Sequence, residues 1–142
     1  MTLPSSSSSS SPTATHKYDV FISFRGEDTR VTASSTKPDR DVVWNELVEA
    51  IRDSKLFLVI FSQDYASSKW CLRELVEIME CKNKKEHVIV IPVFYKIEPT
   101  HVRNQTGSYS RAFAKHERSC DRKQVQQWRT ALTEAANLSG FH

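Results

Sequence analysis

Glycine is the first scarcity: only Gly26, Gly107 and Gly140 occur in 142 residues. Three isolated glycines cannot form a GxGxxG turn or a P-loop, so no glycine cradle holds nucleotide phosphates here. Cysteine is also sparse. Cys71, Cys81 and Cys120 are odd in number and not spaced for zinc, and His16, His87, His101, His116 and His142 show no paired-ligand spacing. No apolar run approaches the length of a bilayer span, and the N-terminus lacks the charged-then-apolar order of a signal peptide. Charge of one sign is missing too. The 20 basic and 17 acidic residues leave a net charge of +3, with no Arg/Lys stripe and no interleaved stacking aromatics. That balance argues against a nucleic-acid-binding surface. These absences together predict a soluble, reduced, intracellular protein without a metal site.

A hydrophobic content of 39% and an aromatic content of 10% are globular values, and the length suits one domain with a real core. Residues 1–16, MTLPSSSSSSSPTATH, have almost nothing to bury. They are expected to form a disordered leader, because such a segment cannot offset its ordering entropy. The single domain is placed at residues 17–142.

Tyr18 to Phe24 (YDVFISF) reads as the first strand, rich in aromatic and β-branched residues. The polar RGEDTR loop, Arg25 to Arg30, follows it directly, where open parallel sheets place their ligands. Arg25 and Arg30 are its cations, and pairing with Glu27 or Asp28 is their ordinary alternative. Val31 to Arg40 reads as a loop. A helix then runs to about Asp53, with Asp41 as its cap and Val43, Trp44, Leu47, Val48 and Ile51 as its apolar positions. Leu56 to Phe61 is a continuous apolar run, the pattern of a parallel strand covered on both faces.

A helix opened by Ser67 and Ser68 comes next, with Leu72, Leu75, Val76 and Met79 as its stripe. His87 to Tyr95 is a further strand, in which Pro92 is expected to mark a bulge or the end of pairing. Lys96 to Gly107 reads as a polar loop. Two helices follow, at about Tyr109–Ser119 and Lys123–Leu138, burying Ala112, Phe113 and His116, then Val125, Trp128, Leu132 and Ala135. Gly140 suits the last C-cap. Alternating strands and helices indicate an α/β fold with a parallel sheet.

One side chain in this pattern needs a reason. Glu77 has Arg73 and Glu80 has Lys84 within helical reach, as surface glutamates usually do. Glu74 has Trp70 and Cys71 behind it and Glu77 and Ile78 ahead, on the edge of the apolar stripe. A carboxyl that lacks a local cation, has a like charge nearby and is partly buried has the character of a catalytic group. A rim glutamate paired with a distant Lys or Arg fits the same pattern.

Four stretches in order resemble one family. YDVFISFRGEDTR, FSQDYASSKWCLRELVEIMEC, VIPVFYKIEPTHVRNQTGSYSRAFAKHE and VQQWRTALTEAANLSG together look like a plant-type TIR (Toll/interleukin-1 receptor) domain. That module opens many intracellular immune receptors. The resemblance implies a flavodoxin-like α/β fold, with a parallel sheet in the order 2-1-3-4-5 and helices on both faces. It implies plant innate immune signal transduction in the cytoplasm, or in cytoplasm and nucleus. Partners would be other TIR domains, with no nucleic acid and no membrane. Many members self-associate and cleave the nicotinamide–ribose bond of NAD+, giving nicotinamide and ADP-ribose or cyclic ADP-ribose. NAD+ is then the substrate, and no cofactor or metal is implied. The family's catalytic glutamate lies in W-C-L-x-E-L, here Trp70 to Leu75, which makes Glu74 the catalytic residue. Phe24, Arg25, Gly26 and Trp70 would line the substrate pocket.

Between Arg30 and Glu46 the chain departs from the family. The usual stretch there is roughly twice as long and holds the first helix, the second strand and a loop bordering the pocket. Their loss makes the first strand an edge, uncovers one sheet face and is expected to lower stability. Two functional expectations follow: an NAD+ nucleosidase centred on Glu74, or a catalytically inactive TIR–TIR interaction module or decoy. Whether the chain is an enzyme is left open between them. Because the chain ends with its last helix, no nucleotide-binding ATPase or leucine-rich-repeat region is expected.

Overall fold

The structure, a computed structural model, describes residues 20–26 and 40–138, with the backbone alone at 40–42. Strand β1 is Val20–Ser23, β2 is Leu56–Phe61 and β3 is Ile89–Phe94. Helix α1 (Arg40–Asp53) joins β1 to β2, and a 3-10 turn at Tyr65–Ser67 leads into α2 (Lys69–Lys84). After β3 come α3 (Pro99–Asn104), α4 (Ser108–Ser119) and α5 (Arg122–Ala136). The sheet is parallel throughout and ordered β1-β2-β3. This order matches positions 1-3-4 of the expected family sheet, and the described residues contain no further strand. The expected disordered leader, the expected loss of the first helix and second strand, and the Gly140 cap all lie outside the described residues.

The two sheet faces are unequal. Rows of paired residues point the same way, so Phe21, Phe57 and Val90 share one face, as do Ser23, Val59 and Pro92. Phe57, Val59, Phe61, Val90 and Phe94 are buried on that side, beneath a core shared with Leu72, Leu75, Trp128 and Leu132. The opposite face carries Val20, Leu56 and Ile89 in one row and Ile22, Leu58 and Ile91 in the next. None of these six is buried, and Val20 and Ile22 are 44% and 46% exposed. The apolar run at Leu56–Phe61 is therefore fully covered on one face only.

Local signals explain the elements. Ser68 caps α2 by accepting a bond from the Cys71 N–H at 3.1 Å, as the serine pair predicts. Leu72, Leu75, Ile78 and Met79 are buried on its inner side, while Val76 is only half-buried. Asp121 caps α5, and Val125, Trp128, Leu132 and Ala135 are buried as the periodicity requires. Three expectations need correction. Asp41 lies inside α1 rather than capping it. Pro92 neither bulges nor ends its strand: it pairs with Val59, and β3 continues to Phe94. On an edge strand alternate N–H groups face away from the neighbour, so a proline at such a position forfeits no ladder bond. The loop after β3 contains α3, which opens with Pro99 at its first turn, where a missing N–H costs nothing.

Candidate active site

The site forms where the carboxyl end of β1 meets the first turns of α2. β1 alternates outward Val20 and Ile22 with inward Phe21 and Ser23, so its last residue delivers a hydroxyl into the core. Tyr65 enters from the 3-10 turn and Glu74 from α2, and all three are fully buried. The Ser23 hydroxyl donates to Glu74 Oε1 at 2.8 Å and lies 2.8 Å from the Tyr65 hydroxyl. The Tyr65 oxygen is in turn 3.1 Å from the Cys71 carbonyl. Cys71, also buried, directs its thiol to the Phe24 carbonyl at 3.4 Å. These bonds tie the segment that begins at Phe24 to the helix that carries Glu74.

Glu74 differs from expectation in degree. The sequence places it at the edge of the stripe, partly covered, whereas its side chain is wholly inside. The reason is that Ile78, one turn on, is also fully buried, so the inward face of α2 is wider than four residues. A buried carboxyl requires hydrogen bonds in place of water, and Ser23 supplies one. Burial, with the neighbouring Cys71 and Glu74 adding to it, pushes the Tyr65 phenol well above its ordinary value. Tyr65 is therefore a neutral hydrogen-bond donor throughout the physiological range.

The other predicted residues divide. Phe24, Arg25 and Gly26 follow Ser23 in an extended segment and are half-buried. The Phe24 ring folds back over Gly26 so closely that a Cβ there would come within 2.2 Å of the ring edge. Only glycine accepts that approach without displacing the ring. Trp70 is half-buried in the first turn of α2. Its ring is met edge-on by Trp44 of α1 at 5.2 Å, and the Arg73 guanidinium stacks 4.0 Å above the Trp44 ring. Arg73 thus covers an aromatic pair, beyond the local Glu77 pairing expected of it. Trp44, Ser23 and Tyr65 are the site residues that sequence reasoning missed. Only the apolar spacing of α1 signals Trp44, and nothing local signals the two hydroxyls.

An open cleft of about 520 Å³ lies elsewhere, at the ends of β2 and β3. Gln63, Phe94, Lys96, His101 and Arg111 line it, and none of the five predicted site residues does. Its charged groups are solvent-exposed and of both signs, with Glu98 among them. The buried, hydrogen-bonded cluster at Glu74 is the more selective arrangement chemically. Among the described residues no helix is long and apolar enough to cross a membrane.

Comparison with known proteins agrees with this architecture. The TIR domain family model matches residues 36–142. The chain is 46% identical to the disease resistance protein RPV1 of Vitis rotundifolia, over 96% of this chain and 11% of that protein. It is 45% identical to the TMV resistance protein N of Nicotiana glutinosa, over 93% of this chain and 13% of that one. The chain thus spans little more than a tenth of these relatives. Among solved structures, the TIR domains of the activated Roq1 resistosome, which directly recognises the pathogen effector XopQ, superpose with a TM-score of 0.73. That match is 42% identical and covers 88% of this chain and 87% of the other. With its parallel sheet, its helices and this similarity along most of its length, the chain belongs to the TIR domain family.

Proposed function

We propose that this TIR-domain chain acts in plant innate immune signalling by cleaving the nicotinamide–ribose bond of NAD+, with Glu74 as its catalytic carboxylate. The observation that carries the reading is the placement of Glu74. It is a buried acid on a helix, hydrogen-bonded to the end of β1, at the sheet edge where open α/β folds place ligands. In the reaction the C1′–N bond breaks and its electron pair leaves with nicotinamide. Water adds at C1′ and releases a proton, giving ADP-ribose. Glu74 stabilises the positive charge that develops on the ribose, as carboxylates do in glycosyl transfer. Trp70 offers part of an aromatic face, and Arg25 offers a cation for the phosphates in the absence of a glycine cradle. The carboxyl is inaccessible in the arrangement described, so turnover requires that Glu74 be uncovered. Association with other TIR domains in the cytoplasm is the natural trigger, and the resistosome similarity supports that step.

The RPV1 match runs over 156 residues, more than the 142 of this chain, so that protein carries positions without a counterpart here. The test is to incubate concentrated purified protein with NAD+ and follow nicotinamide release, beside Glu74→Ala. Release by the parent that the variant lacks is the expected result. No release, or equal release from both, removes the enzymatic reading.

Full burial of Glu74 and the half-bare sheet face favour a second reading, a non-catalytic module that binds other TIR domains. It predicts concentration-dependent association with an intact TIR domain without nicotinamide release. A strict monomer with no such binding rules it out.

A further inference from the structure

We propose that Ser23 and Tyr65 are positioning residues for Glu74, forming a directed hydroxyl chain from Tyr65 through Ser23 to the carboxylate. The proposal rests on the reading of Glu74 as catalytic and adds two residues that act through it.

The direction follows from counting hydrogens. Ser23 and Tyr65 carry one hydroxyl hydrogen each, yet three oxygen–oxygen contacts compete for them: Ser23 with Glu74, Ser23 with Tyr65, and Tyr65 with the Cys71 carbonyl. When Ser23 donates to the ionised Glu74, the hydrogen between Ser23 and Tyr65 must come from Tyr65. The distances favour that order. The two contacts of the chain are 2.8 Å each, whereas the competing approach to Cys71 is 3.1 Å. The Cys71 carbonyl lies inside α2 and keeps its helical acceptor role without the phenol. Burial holds the phenol neutral, so it keeps a hydrogen to give.

Mechanical support comes from behind. The turn that holds Tyr65 is anchored where His116 Nε2 meets the Ala66 carbonyl at 2.7 Å, and Tyr65 packs edge-on against Phe61 at 5.0 Å. The carboxylate is thus oriented from two elements distant in sequence, the strand end and the turn. Titratable groups facing this chain are Cys71 on α2 and, beyond Tyr65, Tyr109 on α4, while Arg25 follows Ser23 by two residues.

The experiment compares the full chain with Ser23→Ala and Tyr65→Phe by nicotinamide release and by carbon-13 NMR titration of the Glu74 carboxyl. Ser23→Ala is expected to lower kcat roughly 10- to 100-fold with KM within about twofold, the cost of misplacing one reacting group. Tyr65→Phe is expected to lower it less. Because a hydrogen bond to the charged form lowers a carboxyl pKa, the Glu74 midpoint should rise in Ser23→Ala and, by less, in Tyr65→Phe. An unchanged midpoint in both variants overturns the proposal, even where activity falls. If the parent releases no nicotinamide, the catalytic reading of Glu74 fails and the titration alone decides the positioning. If Ser23→Ala loses its fold by circular dichroism, Tyr65→Phe decides, since it removes one oxygen and keeps the ring.

Discussion

The two faces of the sheet are built from the same kinds of residue and meet opposite fates. On one, Phe57, Val59, Phe61, Val90 and Phe94 are buried; on the other, Leu56, Leu58, Ile60, Ile91 and Val93 are only half-buried and Ile89 is exposed. Composition does not distinguish them. Among the described residues, what distinguishes them is whether helices cover the face, since apolar side chains gain stability only from the area they remove from water. The covered face also receives the polar cluster of Ser23, Tyr65 and Glu74, whose hydrogen bonds are shielded from water there.

That contrast is breakable by substitution. Phe57→Ala on the covered face should destabilise by about 3–5 kcal/mol, while Leu58→Ala beside it should cost less than about 2 kcal/mol. Urea unfolding of both variants measures the difference; equal costs would mean that the second face is covered in solution, for instance by self-association.

Alkaline pH offers a milder way to sharpen the same contrast. Tyr65 and Tyr109 are buried on the covered side, and desolvation raises both phenols above the ordinary value of 10.0. The native state then holds protons that the unfolded chain releases, so stability is unaffected below that value and falls as pH rises through it. The slope is about 1.4 kcal/mol per pH unit for each phenol. Unfolding midpoints between pH 8 and 11 check this, and a flat profile above pH 10 contradicts the burial.

Gly26→Ala tests the segment that links face to site. Its added methyl meets the Phe24 ring, and displacing that ring should cost on the order of 1 kcal/mol while weakening NAD+ binding more than turnover. Smallest of all is Ile22→Thr on the half-bare edge, which should change stability by less than about 0.5 kcal/mol and reduce aggregation of an exposed strand edge. Light scattering during heating reads the latter.

Much of this fold is legible from local pattern. The helical stripes of α2, α4 and α5 appear as apolar spacing, and Ser68 announces its helix as a cap, whereas the Asp121 cap of α5 is seen only in the structure. The β strands appear as apolar runs, but a run does not reveal which of its two sides is covered, because that depends on a partner elsewhere in the chain. Pro92 misleads for a similar reason: its effect depends on β3 being an edge, a property of the sheet. Glu74 is visible as the acid without a helical cation, yet the Ser23 hydroxyl that holds it lies 51 residues away. No window of sequence contains both, so the burial of Glu74 and its hydrogen-bonded link to Ser23 and Tyr65 emerge only from the packed structure.

If Glu74 cleaves NAD+ as proposed, its burial serves function rather than stability. Glu74→Gln keeps the shape and removes the charge, so nicotinamide release from NAD+ and the urea midpoint, measured on the same samples, test that claim together. Release by the parent and none by the variant is expected, with a midpoint equal or higher in the variant, because a buried ionisable group is costly to retain. Equal release from both proteins, or a variant that loses activity only because it unfolds at markedly lower urea, would contradict it.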